Sequence, residues 1–407
     1  MNKKQLFCLL AIVVITAKSF SQGDIFVNRV FQESSGSPLF NPILNSFGVQ
    51  WSNSVRCSTG GIVNIGYTSI TGQGQNIYLI KYDDAGNIIF QKDYNSSGTN
   101  NDYGLAICEA ANGDFLLCGT TDNGATPNYD VFVLRVDNGG NLINYDIKDG
   151  PSNLNDVAVS IAEDLSGNIL VAANTEDSPG LSDFWVLMYN GSVGFIAANT
   201  YNYGLNDITI GMEINASTGD IVLVGPSASG PTACDYAIAT FDGSTLAFIS
   251  DTRSTLPGTA LDQAYAFCKD ANNNTYITGK SWNGTNFDIK TVKFTSAFAL
   301  AWSVTEDPNG YEDAGTSIAV DGSGNVIVGG YTTKSNTIKD LACFKYNSSG
   351  TQQWNYTHSS QDPTADAVIK KLTTNPVTND IYFVAGEKAI AGPKQVLVEK
   401  ISSAGNV

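Results

Sequence analysis

His358 is the only histidine in this chain of 407 residues. A His-based zinc site or a Ser-His-Asp triad would have to use it, since both need an imidazole nitrogen as ligand or base. It follows Trp354 with no Ser or Cys nucleophile pattern nearby, so it reads as an exposed loop histidine. The chain has no phosphate-cradling glycine loop, zinc spacing or Gly-x-Ser-x-Gly elbow. Asp270-Ala271-Asn272-Asn273-Asn274 and Asp321-Gly322-Ser323-Gly324-Asn325 offer oxygens at alternate positions, as calcium loops do, but lack the downstream bidentate Glu. They read as Asx-stabilised hairpin turns. The expectation is therefore no metal and no cofactor, with calcium the one ion such loops could take. Paired carboxylates remain: Glu176, Asp177, Glu306, Asp307 and Glu312 fall on irregular loops, and two acids about 5–9 Å apart are what glycoside hydrolysis uses.

The elements that would position these residues repeat. An aspartate recurs at Asp102, Asp156, Asp207, Asp262, Asp313 and Asp366, at intervals of 54, 51, 55, 51 and 53 residues. A Gly/Asn/Asp turn follows each, from Gly113-Asp114 in the first case to Asn379-Asp380 in the last. The next apolar run ends on a small residue: Gly66, Gly119, Ala173, Gly225, Gly279, Gly330 or Gly386. A third run recurs as NIYLIKY from Asn76, DVFVLRV from Asp130, DFWVLMY from Asp183, DYAIATF from Asp235, DIKTVKF from Asp288 and DLACFKY from Asp340. In most of these a Lys or Arg follows (Lys81, Arg135, Lys293, Lys345). Short β-branched and aromatic runs between Gly/Asn/Ser/Asp turns are strands, and a period slightly above 50 residues marks a repeat architecture.

Each unit is a four-stranded antiparallel sheet, and seven such sheets bury both faces most economically as a ring. The fold expected is all-β: a seven-bladed β-propeller of four-stranded antiparallel blades, closed by an N-terminal strand. The units run at about 51–100, 101–154, 155–205, 206–260, 261–311, 312–364 and 365–407. The seventh lacks its outermost strand. Ile43–Phe47, within residues 22–50, is expected to supply it, with Asp24–Phe31 packed nearby. The competing expectation is that the gene runs on into further repeats or a sorting domain.

The unit from Asp313 to Thr333, DAGTSIAVDGSGNVIVGGYTT, followed by DLACFKYNSSGTQQW from Asp340, resembles the seven-bladed β-propeller (SBBP-type) repeat family of exported bacterial proteins. The other units match more loosely: the third keeps Ser160-Ile161-Ala162, and the fourth departs at Pro226. The resemblance spans about nine tenths of the chain beyond its leader. It implies the propeller and no shared catalytic residues. Residues 1–21, with Asn2-Lys3-Lys4, the apolar Leu6–Thr16 and Ser19-Phe20-Ser21, form a signal peptide similar to those of Bacteroidota. The expected location is secreted, extracellular or at the cell surface, with the periplasm possible.

Removing the leader takes Lys3, Lys4 and Lys18 and no acid, so the formal charge falls from −17 to −20. That argues against nucleic acid and anionic membrane surfaces as partners, because both need basic patches. No membrane insertion is expected, and the protein should be a monomer. Of the six cysteines beyond the leader, Cys108 and Cys268 look like small core residues. Cys108 and Cys118 flank Asn112-Gly113 symmetrically and could face each other across a hairpin.

Loop lengths carry the functional hint. The long, variable loops join second strand to third and one unit to the next, and strand alternation puts both on one face. Variable loops on a rigid scaffold are where binding usually resides. That face should carry Tyr103, Tyr201 and Tyr203, and the ligand-binding set Tyr129, Trp282, Phe287, Tyr311, Tyr331 and His358. Aromatics among Asn, Thr and Ser suit sugar rings or a protein partner. The reading is a non-catalytic exported propeller that binds extracellular polysaccharide or protein. The alternatives are a polysaccharide-degrading glycosidase or lyase and a purely structural cell-surface repeat.

Overall fold

The protein is seen in a computed structural model. It describes residues 54–406 apart from 71, 123–127, 231–232, 255–260, 336–337, 361–363 and 389–393. The N-terminal strands expected to complete the last sheet lie outside the described residues.

Among the described residues seven antiparallel sheets follow one another, six with four strands and the last with three. Sheet one is built from Ser54–Arg56, Ile62–Ile70, Gly74–Tyr82 and Ile88–Tyr94. Sheet two is Asp102–Glu109, Phe115–Asp122, Tyr129–Val136 and Leu142–Lys148. Sheet three is Asp156–Glu163, Ile169–Ser178, Leu181–Tyr189 and Phe195–Tyr201, and sheet four is Gly211–Ile214, Ile221–Gly230, Ala233–Phe241 and Phe248–Arg253. Sheet five is Asp262–Lys269, Thr275–Trp282, Phe287–Phe294 and Leu300–Glu306. Sheet six is Ala314–Val320, Val326–Ser335, Ile338–Tyr346 and Gln352–His358, and sheet seven is Val368–Thr374, Ile381–Lys388 and Lys394–Ile401. The described residues contain no helix, and hence none long and apolar enough to cross a membrane.

The first strand of most sheets packs on the sheet before it, which chains all seven in sequence order. The third strands of sheets one to six and most of the second strands are largely buried, whereas the fourth strands show side chains such as Ile89, Ile143 and Ile249 to solvent, and the third strand of sheet seven does the same with Val396 and Val398. Sheets packed face to face with first strands inside and fourth strands at the rim make a propeller-like fold.

Local chemistry explains the hairpins. Nearly every turn opens on an Asx residue whose side chain caps backbone N–H groups two and four residues on. Asp83 Oδ1 accepts from Ala85 and Asn87, Asp137 Oδ1 from Gly139 and Asn141, and Asn347 Oδ1 from Ser349 and Thr351. The two calcium-like stretches are turns of this kind. Asp270 Oδ1 accepts from the N–H of Asn272 and Asn274, and its Oδ2 accepts from Asn274 and Tyr276. Asp321 does the same with Ser323 and Asn325 and pairs with Lys345 at 2.9 Å.

The third-strand cations tie neighbours together. Lys81 donates to Asn138 at 3.0 Å, Arg135 to the carbonyl of Gly191, Lys293 to that of Ser348 and Lys345 to that of Ser403, each in the following sheet.

The small residue that ends the apolar part of the second strand has a physical cause. It faces a β-bulge in the first strand, between Gly104 and Ala106, Ala264 and Ala266, or Gly315 and Ser317. The bulge pushes a carbonyl into the space a side chain would take. A Cβ on Gly279 would lie 1.9 Å from the Gln263 carbonyl oxygen, and one on Gly330 at 1.9 Å from that of Ala314. In sheet seven the bulge, between Ile369 and Lys371, faces Ala385 instead, and a Cβ on Gly386 would meet nothing within 4 Å. Gly279→Ala should therefore cost about 1–3 kcal/mol in urea unfolding, while Gly386→Ala stays within about 0.5 kcal/mol. Equal effects would contradict the bulge explanation. Sheet three carries Ala173 at the equivalent position, so the bulge can widen, and this sets the ceiling on the cost.

The expected Cys108–Cys118 pairing is corrected. The register turns about Asn112, so Cys108 faces Leu116 and Cys118 faces Ala106. All six described cysteines are free, and both of these pack with the core between sheets two and three.

Candidate functional site

The strand ends that carry the long loops place the aromatic residues on one face, in two groups. On sheets one and two, Tyr67 and Tyr103 meet edge to face at 4.9 Å, and Tyr129 follows with its centroid 6.3 Å from that of Tyr103. Burial, with the neighbouring tyrosines, pushes the Tyr103 hydroxyl up to about 12.

The second group spans sheets five and six. Trp282 closes a second strand and Phe287 opens the third. They are register partners, and their rings stand 5.1 Å apart in a T. Lys280 lies 4.1 Å over the Phe287 ring and pairs with Glu312 at 3.1 Å. Glu312 also accepts from the Tyr331 hydroxyl at 3.0 Å, and Lys339 stands 3.9 Å over the Tyr331 ring. The paired Lys280 holds the Glu312 carboxyl below its ordinary range, while burial and Glu312 raise that of the Tyr331 hydroxyl. Trp282 and Phe287 remain half-buried and reachable.

Two expected positions need correction. Tyr331 is 7% exposed and sits inside the second strand of sheet six, so its ring packs against Lys339 and is no loop contact. His358 is the last residue of the outer strand, opposite Leu341 and half-buried, and does not lie in a loop. Tyr311 is exposed at the entry to sheet six. The structure thus gathers Trp282, Phe287, Tyr311, Tyr331 and His358 on sheets five and six, and leaves Tyr129 with Tyr67 and Tyr103. Tyr201 is buried. Tyr203 is half exposed, with the Arg253 guanidinium 3.3 Å above its ring.

The five candidate acids are individually engaged. Glu176 accepts from Asn155 at 3.0 Å, Asp177 from Asn202 at 3.2 Å, and Glu306 from the Tyr346 hydroxyl at 3.2 Å. Asp307 accepts from the Gly310 N–H at 2.6 Å, and Glu312 is held as described.

A group missed by the sequence reading is Asp130, Asp149 and Asp156, whose carboxylate oxygens lie within 4.8 Å of one another. Burial, then Asp149 and Asp130, drive Asp156 up to about 7. The recurring opening and third-strand aspartates were the available signal; their convergence depends on sheet packing. Beside them a shallow cleft of about 330 Å³ is lined by Asp149, Pro151, Trp185, Asn199 and Thr200.

Among solved structures the chain is similar to Sqt1 from Chaetomium thermophilum, at 12% identity over 89% of this chain and 83% of that one, with a TM-score of 0.51. It is similar to polysaccharide lyase Uly1 at 12% identity over 91% and 94% of the two chains, TM-score 0.50. It is also similar to the PL25 ulvan lyase bound to -[GlcA(1-4)Rha3S]-, at 9% identity over 88% and 95%, TM-score 0.51. These likenesses establish a β-propeller-like fold and nothing about activity. No protein-family model and no curated protein matches the chain.

Proposed function

We propose that this protein is an exported, non-catalytic propeller of the SBBP type that binds extracellular polysaccharide, or a protein, on the face carrying Trp282 and Phe287. The observation that supports this reading most is that pair: two half-buried rings at right angles, flanked by Lys280 and exposed Asn283. Aromatic faces beside amide and ammonium donors match the apolar and hydroxyl sides of a sugar ring. The formal charge, −17 for the full chain and more negative once the leader is removed, opposes polyanions, so uncharged glycans are the preferred class. A polysaccharide-degrading enzyme is the alternative, and the propeller lyases that share this architecture keep it in view. Against it stand the hydrogen bonds and ion pairs that engage each candidate acid.

The test is a retention screen of the purified protein on immobilised glycans and extracellular proteins. Trp282→Ala and Phe287→Ala should weaken a selective interaction about ten-fold or more. Leu165→Ala, at a fully exposed turn between a first and second strand and thus on the opposite face, should leave it unchanged. Retention that survives both aromatic substitutions would move the site elsewhere.

A further inference from the structure

A residue type that returns in every sheet serves the repeat, whereas one found in only one or two sheets needs a reason of its own. On the loop face, the residue that opens the third strand is aromatic in sheets two and five alone, as Tyr129 and Phe287. The same register position holds Gln75, Ser182, Cys234 and two lysines in the other described sheets. Tyr103 departs from the repeat as well. At its position the first strands of sheets three, five, six and seven carry Val157, Gln263, Ala314 and Val368. The fold of the sheet therefore asks for an aromatic ring at neither place.

The tyrosines keep unused binding capacity. Tyr67 and Tyr103 meet edge to face at 4.9 Å and Tyr129 stands 6.3 Å from Tyr103, all three partly open to solvent. Neither the Tyr103 nor the Tyr129 hydroxyl has a hydrogen-bond partner among the described residues. The Tyr331 hydroxyl, by contrast, is taken by Glu312, and Lys339 covers its ring. Asp122 is the register partner of Tyr129 and accepts from the Asn101 amide at 2.8 Å. Two open phenols, a carboxylate and an amide around aromatic rings offer a sugar both stacking faces and hydroxyl partners.

The second aromatic group lies far from the first. Sheets two and five are three steps apart one way round a ring of seven and four the other, so the two groups stand on nearly opposite sides of the loop face. Each third strand lies two strand spacings outside its first strand, so Tyr129 and Phe287 are about 20 Å or more apart.

We propose that Tyr103 and Tyr129, backed by Tyr67, form a second sugar subsite, and that one uncharged polysaccharide chain is held at both aromatic groups. This rests on the binding reading above and adds that the ligand must be long enough to cross the face. Binding at one group raises the local concentration of the same chain at the other, so length alone brings affinity.

The probes are laminarin, galactomannan and arabinoxylan, each beside its own trisaccharide, which is too short to reach both groups. The purified parent should bind a retained polymer at least about 30-fold more tightly than that trisaccharide, and in Tyr129→Ala the advantage should shrink to about three-fold or less. Tyr103→Ala should do the same. Tyr129→Ala, at the opening of its strand, decides the matter if the more deeply set Tyr103→Ala misfolds. Trp282→Ala should shrink the advantage equally, because either loss leaves one point of attachment. A polymer released by Trp282→Ala but held unchanged by folded Tyr129→Ala would overturn the second subsite and leave the binding reading standing. Retention of none of the three polymers would overturn both the subsite and the glycan half of the function above.

Discussion

Lys290→Met should destabilise the protein by about 3–5 kcal/mol, the usual consequence of removing one partner of a buried ion pair. The Lys290 side chain is completely buried and that of Asp262 is 1% exposed. Lys290 donates to Oδ2 of that carboxylate at 2.6 Å, and Oδ1 has no hydrogen bond. Water cannot reach the orphaned carboxylate, and Asp235 stands at the same junction. Thermal unfolding should show a Tm lower by roughly 5–10 °C. Adding Asp262→Asn should restore most of the loss, since a buried pair replaced by neutral groups costs far less than a broken one. A Lys290→Met variant within 1 kcal/mol of the parent would mean that the junction is wet.

The second large effect is on pH. The protein should gain stability as pH falls from about 7.5 to 5.5, opposite to the usual acid response. Asp156 is driven up to about 7, and Asp183 and Asp313 up to about 6, each chiefly by burial. A carboxyl whose folded pKa is raised contributes its full stability below the ordinary carboxylate range. It loses that stability as pH climbs through the folded value. Asp156 faces Asp130, Asp149 and the Gly150 N–H, so its ionisation alone should cost on the order of 2–4 kcal/mol. Asp156→Asn, whose amide oxygen can still accept from Gly150, should flatten much of the slope. The gain must reverse at lower pH, where Asp242, held down at about 2 by Ser244 and Thr245, and the similarly depressed Asp83 and Asp137 lose their turn hydrogen bonds. Tm against pH checks the sign. A Tm that falls steadily from pH 7.5 to 5.5 would contradict it.

The repeat was legible because each unit spells its strands and turns locally: an Asx residue at the hairpin, a Gly beyond it, a β-branched run on either side. The bulge was legible only through its consequence, the small residue at Gly119, Gly279 and Gly330, and its cause needed the carbonyl that the first strand pushes across. The hairpin itself sets the register of Cys108: Ala110 pairs with Asp114 across the turn, which centres the strands on Asn112 and puts Cys108 opposite Leu116, not Cys118. Tyr331 and His358 were misplaced for a related reason. A small residue or a tryptophan looked like the strand's end, but pairing continues to Ser335 and to His358 because the long third strand, Ile338–Tyr346, offers partners that far. Asp130, Asp149 and Asp156 all stand at repeating positions, Asp149 where the other units have Asn95, Asn202 and Asp307, but they meet across a sheet boundary. Contacts between units are set by packing, which a period in the sequence does not specify.

The most direct test of the binding reading is the length of a retained polysaccharide after prolonged incubation with the protein, measured by size-exclusion chromatography. The expected result is a polymer retained through Trp282 and recovered at its starting length. A polymer steadily shortened by the parent protein would contradict a non-catalytic face and make this propeller an enzyme.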